Sequence, residues 1–314
     1  MTGSRILSMG HYQPSRVVTN DDIAQLVETN DEWIRDRVGI VSRRIAGDET
    51  VADMAAAAAD KALANSGLTA TDIDLVVVAT CTSIDRSPNV ACRVAAKLGI
   101  NAPGAFDLNT ACSGFAYALG TVDHAIRAGA SRNALVIGAE KLSDFTDWTD
   151  RSTCIIFADG AGAAVVTAAA EDEPVGIGPV VWGSVPERGD AVRIEGWRPY
   201  VAQEGQTVFR WATTALAPLA LQACERAGVD PAELAAFVPH QANSRIIDGI
   251  AKRLNIPQAI IAKDIVESGN TSAASIPLAL SKLVERREVP SGAPVLLFGF
   301  GGGLTYAGQV VRCP

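Results

Sequence analysis

The hydrophobic residues of this chain fall into short, nearly continuous runs separated by segments with helical spacing. Runs such as LVVVAT (75–80) and VLLFGF (295–300) show no alternation of apolar and polar residues. Such runs favour strands that are buried on both faces of a sheet. Strands that alternate with helices in this way predict a layered α/β fold.

The pattern also repeats within the chain. The stretch SGLTATDIDLVVVATCT (66–82) matches AGVDPAELAAFVPHQAN (227–243), since each contains a helix end at glycine, a polar turn and an apolar strand. Gly67 lies opposite Gly228, an offset of 161 residues (228 minus 67). The same offset relates two further pairs of segments, 111–119 with 274–280 and 134–138 with 294–299.

Three matches at one offset predict an internal duplication. Chance similarity, which any α/β chain can show, is the alternative. The acidic, proline-ended run AAAEDEP (168–174) is the natural connector. We therefore expect an N-terminal half at 1–170 and a C-terminal half at 171–314.

Composition narrows the class of protein. The chain has 314 residues, of which 48% are hydrophobic and 20% charged, enough for one large domain or two fused ones. Its formal net charge of −8 argues against nucleic-acid binding, which needs a basic surface. An acidic partner would need a local basic patch.

The cysteines indicate the compartment. They are scattered without a CxxC pair, a pattern that indicates neither a disulfide framework nor a zinc site. The N-terminal MTGSRILSMG has no basic segment followed by an apolar one, and no run of about 18 apolar residues occurs. We therefore expect a cytoplasmic protein without a membrane partner. The six cysteines are Cys81, Cys92, Cys112, Cys154, Cys224 and Cys313.

Cys112 is the candidate nucleophile. In FDLNTACSGFAYALG (106–120), an apolar strand leads through a small-residue turn into a helix. A thiol at a helix N-terminus feels the positive end of the helix dipole, which favours the reactive thiolate. The other five cysteines lack this setting, and a buried inert cysteine is the alternative.

Two polar residues accompany Cys112. His240 closes the strand of AAFVPHQAN (235–243) at its carboxyl end, where α/β sheets place ligands, whereas His11 and His124 are typical of satisfied polar groups. Asn270 lies in a Gly-Asn turn before a small-residue helix, in the half that mirrors the one with Cys112. Ordinary turn or capping chemistry is the alternative for Asn270.

A glycine-rich loop follows the last buried strand. In LLFGFGGGLTYAG (296–308), three consecutive glycines can approach a ligand closely and present bare N–H groups. The loop matches neither GxGxxG nor the P-loop pattern. It therefore predicts an oxyanion hole or a tight turn.

The segments TACSGF, VPHQAN, GNTSAAS and FGGGLTYAG, in this order, resemble the β-ketoacyl-ACP synthase III family of the thiolase superfamily along essentially the full chain. NDEWIRDRVGI (30–40) is similar to the family's CoA-side segment, and TDRSTCIIFADGAGAAV (149–165) to its mid-chain strand and turn. The resemblance implies an internally duplicated thiolase-like fold with αβαβα layers and an active site between the halves.

The resemblance also implies a reaction, the decarboxylative condensation of an acyl-CoA primer with malonyl-ACP that initiates fatty acid synthesis. Cys112 would take the acyl group, with the backbone N–H groups of Cys112 and Gly302 forming the oxyanion hole. His240 and Asn270 would then donate hydrogen bonds to the malonyl thioester oxygen. No metal and no cofactor beyond the substrates is implied.

By position, the resemblance assigns further residues to substrate binding. It also implies a homodimer. For CoA binding they are Thr29, Trp33, Arg37, Arg151 and Asn243, with Trp33 and Arg151 on either side of the adenine. For acyl carrier protein they are Arg210, Arg245, Lys252 and Arg253.

The chain departs from the family pattern at Ser113, usually alanine, and at Val38, often threonine. Ser87 stands where acetyl-primed members carry a phenylalanine that caps the partner subunit's acyl pocket. We therefore expect primers bulkier than acetyl, with the segment 180–206 as a second pocket wall.

Other functions remain possible. A thiolase needs a second cysteine in the C-terminal glycine loop, which this chain lacks, and type III polyketide synthases are longer and use no carrier protein. A starter-unit ketosynthase or acyltransferase of a polyketide pathway would share the same residues. A non-catalytic scaffold subunit is disfavoured because Cys112, His240 and Asn270 are all retained.

Overall fold

The structure is a computed structural model that describes residues 3–170, 173, 175–196 and 200–314. Within them, strands β1 to β14 are Ser4–Tyr12, Val17–Thr19, Ser42–Arg44, Leu75–Ala79, Gly104–Leu108, Asn133–Lys141, Asp159–Ala168, Val181–Ser184, Val192–Ile194, Val201–Gln203, Ala236–Pro239, Ile260–Ile261, Pro294–Gly301 and Thr305–Arg312. Helices α1 to α10 are Asn20–Ala24, Asp31–Val38, Val51–Ser66, Val90–Leu98, Gly114–Arg127, Arg151–Cys154, Gly205–Ala227, Ser244–Leu254, Ile265–Ser268 and Ser275–Glu285.

Two five-stranded sheets dominate the described residues, and they share one topology. Their strand orders are β1-β7-β6-β4-β5 and β8-β14-β13-β11-β12. In each sheet the strands on both sides of β4 or β11 run parallel to it. The next two pairings are antiparallel, β6 with β7 and β7 with β1 in the first sheet, and β13 with β14 and β14 with β8 in the second. The predicted internal duplication is therefore confirmed.

The offset of 161 residues holds at the level of single pairs. Val77 pairs with Val136 in the first sheet, and Val238 pairs with Leu297 in the second, each position shifted by 161 (238 minus 77, 297 minus 136). Helix α5 begins at Gly114 and helix α10 at Ser275, again 161 residues apart (275 minus 114). The repeat is therefore structural as well as sequential.

The sheets lie between three helical layers, because their apolar strands face a core on each side. Val77 and Leu297 belong to the central core, which contains α5 and α10. Val76 faces an outer core with α3 and α4, and Leu296 faces another with α7 and α8. This is the predicted αβαβα arrangement, in which both halves contribute to the central layer.

Two glycines at equivalent positions within strands β6 and β13 let the halves meet closely. A Cβ at Gly138 would overlap the carbonyl oxygen of Ala273, and a Cβ at Gly299 would lie 2.9 Å from the Cα of Ser113. The turn of each half therefore crosses the strand of the other. This reciprocal contact brings the segment of Cys112 beside that of Asn270.

The boundary between the halves stays a prediction. The first sheet uses strands up to β7, which ends at Ala168, and the second uses strands from β8, which begins at Val181. In the expected connector, Glu171, Asp172 and Pro174 lie outside the described residues. Among the residues that are described, no helix has the length and apolar character needed to cross a membrane.

Candidate active site

One cavity of about 630 Å³ brings the candidate catalytic residues together. Cys112, His240 and Asn270 all line it, as do Phe300 and the glycines 301–302. The side chains of His240 and Asn270 come from the C-terminal half, and the Cys112 thiol comes from the N-terminal half. The cavity therefore lies where the predicted halves meet.

The Cys112 segment has the expected strand, turn and helix. After β5, the side-chain oxygen of Asn109 accepts a hydrogen bond from the backbone N–H of Ala111, 3.1 Å away. Ala111 has a left-handed φ of 47°, and a single 3₁₀ turn then leads into α5. This tight turn puts the Cys112 thiol just before the helix N-terminus.

Burial sets the protonation of the thiol. It raises the pKa of Cys112 to about 11, although the Ser272 hydroxyl and the backbone N–H groups of Gly302 and Cys112 act in the opposite direction. The nearby carboxyl of Glu140 raises this pKa further. The prediction that the helix N-terminus favours a thiolate is therefore wrong for the resting protein, in which the sulfur is protonated.

His240 is a neutral, anchored imidazole. Its backbone N–H donates to the carbonyl of Phe298 at 2.9 Å, and its Nδ1 lies 2.7 Å from the Oγ of Ser275. Its ring meets Phe300 edge to face, with centroids 5.3 Å apart. Burial lowers the pKa of His240 to about 3. Since Nδ1 is occupied, Nε2 is the nitrogen left for a ligand.

Asn270 is oriented by its own turn. Its side-chain oxygen accepts the backbone N–H of Ser272 at 2.9 Å, and its backbone bonds to Ile156 and Ala158. Because a backbone N–H can only donate, the Oδ1 position is fixed. The Nδ2 amide group of Asn270 is therefore available as a donor at the cavity.

The glycine loop touches the nucleophile. A Cβ at Gly301 would lie 2.6 Å from the Cβ of Cys112 and 2.9 Å from its sulfur. Only a residue without a side chain permits this approach. The sequence indicated the loop and Gly302 but missed Gly301 itself, for which the glycine run was the available signal.

Glu140 and Ser275 were also missed. The buried carboxyl of Glu140, at the end of β6, accepts hydrogen bonds from the backbone N–H of Cys81 at 3.1 Å and the hydroxyl of Thr82 at 2.6 Å. A carboxylate that ends a buried apolar strand was a usable signal. The role of Ser275 depends on a contact distant in sequence, and no local signal could reveal it.

Of the residues predicted for CoA, Trp33 and Arg37 line the cavity, and Arg151 contacts Trp33. The guanidinium carbon of Arg151 lies 5.0 Å from the ring centroid of Trp33, and that of Arg37 lies 5.7 Å away. Arg151 also donates to the carbonyl of Glu28 at 3.0 Å. A purine between Trp33 and Arg151 would require the guanidinium to withdraw.

Asn243 and Thr29 differ in position. Asn243 lines the cavity, but its amide joins two helices, since it donates to the carbonyl of Arg37 and accepts the N–H of Arg245. Thr29 is not among the described residues that line the cavity. The buried hydroxyl of Thr29 has no hydrogen-bond partner among the described residues.

The predicted basic residues share one side of the molecule. Arg210 lines the mouth of the cavity, and the guanidinium of Arg245 lies 5.7 Å from the ring of Phe209. Lys252 and Arg253 are exposed two turns further along α8, on the face that carries Arg245. The four residues form a basic stripe beside the cavity, in which Asp248 of α8 also lies and pairs with Lys263 at 2.7 Å.

A second cavity, of about 410 Å³, also reaches Cys112. Strands β9 and β10 supply part of its wall, as expected for the segment 180–206, of which residues 197–199 lie outside the described part. Ser87 is exposed and does not line this cavity. The apolar lining residues are Leu142, Phe157, Val192, Ile194 and Val201.

A duplicated five-layer fold with a thiol, an imidazole and a carboxamide at one cavity defines a thiolase-like condensing enzyme. Two family models match, 3-oxoacyl-[acyl-carrier-protein (ACP)] synthase III over residues 106–186 and its C-terminal part over 224–313. β-Ketoacyl-[acyl-carrier-protein] synthase III 4 of Streptomyces coelicolor is 64% identical over 99% of both chains.

Solved structures agree with these matches. The priming β-ketosynthase of the R1128 polyketide pathway has a TM-score of 0.97 and 43% identity, over 100% of this chain and 97% of its own. The 3-oxoacyl-[acyl-carrier-protein] synthase III of Aquifex aeolicus has a TM-score of 0.94 and 41% identity, over 99% of this chain and 100% of its own. This chain belongs to the β-ketoacyl-ACP synthase III family and is a condensing enzyme of the acyltransferase type, as the sequence motifs predicted.

The contact between Gly301 and Cys112 can be tested by stability. We expect Gly301→Ala to lower the free energy of unfolding by about 1–3 kcal/mol, the usual cost of overpacking. In a Cys112→Gly background, which removes the atoms that the new methyl group meets, the loss should largely disappear. Denaturant unfolding of the four proteins measures the coupling. Gly47→Ala, at a surface turn with room for a Cβ, serves as the control. If the effects of Gly301→Ala and Cys112→Gly on the free energy of unfolding are additive, the contact is contradicted.

The protonation of Cys112 can be tested by alkylation. Because only the thiolate reacts and burial holds the pKa of Cys112 near 11, the rate with iodoacetamide should rise about tenfold per pH unit between about pH 7 and pH 9. Peptide mass spectrometry follows Cys112 separately from the other cysteines, and Cys112→Ser identifies its peptide. A rate that levels off below about pH 8 would mean that the thiolate is stabilised after all.

Proposed function

We propose that this protein condenses an acyl-CoA primer with malonyl-ACP to give 3-oxoacyl-ACP and CO₂, the step that initiates fatty acid synthesis. The observation that carries the proposal is the single cavity shared by the Cys112 thiol, the neutral His240 and the Asn270 amide. The relatives that bear the name β-ketoacyl-[acyl-carrier-protein] synthase III support it.

In the first half-reaction, Cys112 attacks the thioester carbonyl of the primer. The bond from the carbonyl carbon to the CoA sulfur breaks, a bond to Sγ of Cys112 forms, and the thiol proton leaves with the CoA sulfur. The backbone N–H groups of Cys112 and Gly302 stabilise the oxyanion between these steps. Their contribution to the electrostatics of the thiol supports this role.

In the second half-reaction, the malonyl group loses CO₂. The electron pair of the broken C–C bond moves toward the thioester oxygen, where the enolate charge develops. His240 and Asn270 donate one hydrogen bond each to that oxygen. The carbanion then attacks the acyl group on Cys112, the bond from the acyl carbon to Sγ breaks, and the departing thiolate takes a proton from water. Neutral donors suit this step, because they stabilise the charge without neutralising it by proton transfer.

The residues around the entrance divide between the two substrates. Trp33 and Arg151, with Arg37, Thr29 and Asn243 nearby, would hold CoA, and stacking of adenine on an indole and a guanidinium is favourable. The basic stripe would attract the acidic carrier protein, with an attraction that weakens in salt. Its residues are Arg210, Arg245, Lys252 and Arg253. The chemistry described needs no resident cofactor.

We also propose a homodimer that works in the cytoplasm, with halves divided at 170. Strand β5 is an edge of the first sheet, and Phe106 on it and Ile84 nearby expose 38% and 75% of their surface. A partner that covers this edge would meet the loop with Ser87. The small side chain of Ser87 and the 410 Å³ cavity support a primer bulkier than acetyl.

Priming of a polyketide pathway is the second candidate. It is favoured by the likeness to the R1128 priming β-ketosynthase. The catalytic steps would be the same, and the carrier protein would differ.

Separate assays of the two half-reactions test the proposed roles. His240→Gln or Asn270→Ala should reduce malonyl decarboxylation about a hundredfold to a thousandfold, as for loss of one oxyanion donor, while acylation of Cys112 by acyl-CoA continues. Cys112→Ser should form no thioester adduct in mass spectrometry. His11→Gln changes a partly buried histidine outside the cavity and is the control. A wild-type chain that forms no acyl adduct would refute the function.

Primer choice is tested by kcat/KM for isobutyryl-CoA and acetyl-CoA. The isobutyryl group has two more carbons than acetyl, and burying them at about 0.8 kcal/mol each predicts a roughly tenfold higher kcat/KM for isobutyryl-CoA. Ser87→Phe should remove that preference, whereas Arg86→Phe on the same loop should keep it. A wild-type preference for acetyl would contradict the proposal.

A further inference from the structure

The imidazole of His240 rests on a serine that begins helix α10. Ser275 is 1% exposed and His240 is 2% exposed. The Oγ of Ser275 lies 2.7 Å from His240 Nδ1 and 3.3 Å from the backbone N of Gln241. The hydroxyl therefore has two close neighbours.

The direction of each hydrogen bond follows from the proton count. The backbone N–H of Gln241 can only donate, so the Ser275 oxygen accepts from it. The hydroxyl has one proton to donate, and among the described residues His240 Nδ1 is the one hydrogen-bond acceptor that it meets. Burial removes bulk water as an alternative. The Ser275 hydroxyl thus donates to Nδ1, which carries no proton.

We propose that Ser275 is a positioning residue that fixes His240 as the neutral tautomer with its proton on Nε2. This inference rests on the proposed function, in which Nε2 faces the malonyl thioester oxygen as a donor. The opposite tautomer would present a lone pair to the developing enolate and repel it. Burial holds the pKa of His240 near 3, so a second proton does not supply the donor at neutral pH.

The internal repeat indicates that His240 and Ser275 are a pair specific to the second half. The first-half equivalents of His240 and Ser275 are Ala79 and Gly114, each 161 residues earlier (240 minus 79, 275 minus 114). A Cβ at Gly114 would lie 3.0 Å from that of Ala79. The fold therefore brings these two positions together in both halves, and the second half fills them with an imidazole and a hydroxyl.

The chain offers a matched control on the same helix. The Oγ of Ser281 lies 2.9 Å from Nδ1 of His11, and Ser281 is 3% exposed. His11 does not line the cavity that contains Cys112. Ser281→Ala therefore removes the same atoms from a similar contact outside the proposed site.

Nitrogen NMR of histidine-labelled protein measures the tautomer directly, and only three histidines need assignment. At neutral pH, wild-type His240 should show an unprotonated Nδ1 and a protonated Nε2. Ser275→Thr should keep this signature, Ser275→Ala should give a mixture of tautomers, and Ser281→Ala should leave His240 unchanged. A protonated Nδ1 in the wild type overturns the inference, even if Ser275→Ala fails to fold.

Kinetics separate positioning from general stability. Ser275→Ala should lower kcat for malonyl decarboxylation about tenfold to a hundredfold, less than loss of the donor itself, with acylation of Cys112 unchanged. Ser275→Thr should recover most of the rate. An unchanged decarboxylation rate, or equal losses in both half-reactions, overturns the role. If the wild type binds no acyl group yet shows the Nε2 proton, the proposed function fails while the assignment of the tautomer stands.

Discussion

The site depends on one reciprocal contact between the repeats. Gly138 lies under the turn that contains Ala273, and Gly299 lies under the turn that contains Ser113. Each contact is too close for a Cβ, so the turn of each half can pack against the strand of the other half only where that strand has a glycine. Because the turns carry Asn270 and Cys112, this contact sets the distance between nucleophile and donor. The cavity is thus a consequence of how the halves meet, and neither half contains it alone.

The same close packing determines the charges at the site. Burial makes the Cys112 thiol and the His240 imidazole neutral at rest, since a low-dielectric interior disfavours both charged forms. The thiol and the imidazole therefore bring no charge of their own next to the hydrogen-bond donors. Negative charge that develops there on a substrate oxygen meets fixed hydrogen-bond donors with little water to rearrange, which is the condition under which such donors contribute most.

The sequence predicted what depends on local pattern. Apolar runs identified the strands, the offset of 161 identified the duplication, and the motifs around Cys112, His240 and Asn270 identified the cavity. Properties that depend on distant contacts were missed. The pKa of Cys112 follows from burial by both halves, which outweighs the local helix terminus, and Gly301 matters because it meets a sulfur 189 positions earlier (301 minus 112). The boundary at residue 170 and the role of Ser87 still depend on sequence alone.

The repeat also explains how one local geometry serves two purposes. Asn109 and Asn270 are equivalent, and each uses its side-chain oxygen to accept the N–H two residues later. The residues that donate, Ala111 and Ser272, share a left-handed backbone with φ of 47° and 48°. In the first half, this turn presents the Cys112 thiol. In the second, the position of the thiol is an alanine, Ala273, and the turn instead orients the amide of Asn270 toward the cavity. The backbone turn is therefore common to both halves, and the few side chains that differ make one turn carry the nucleophile and the other the donor.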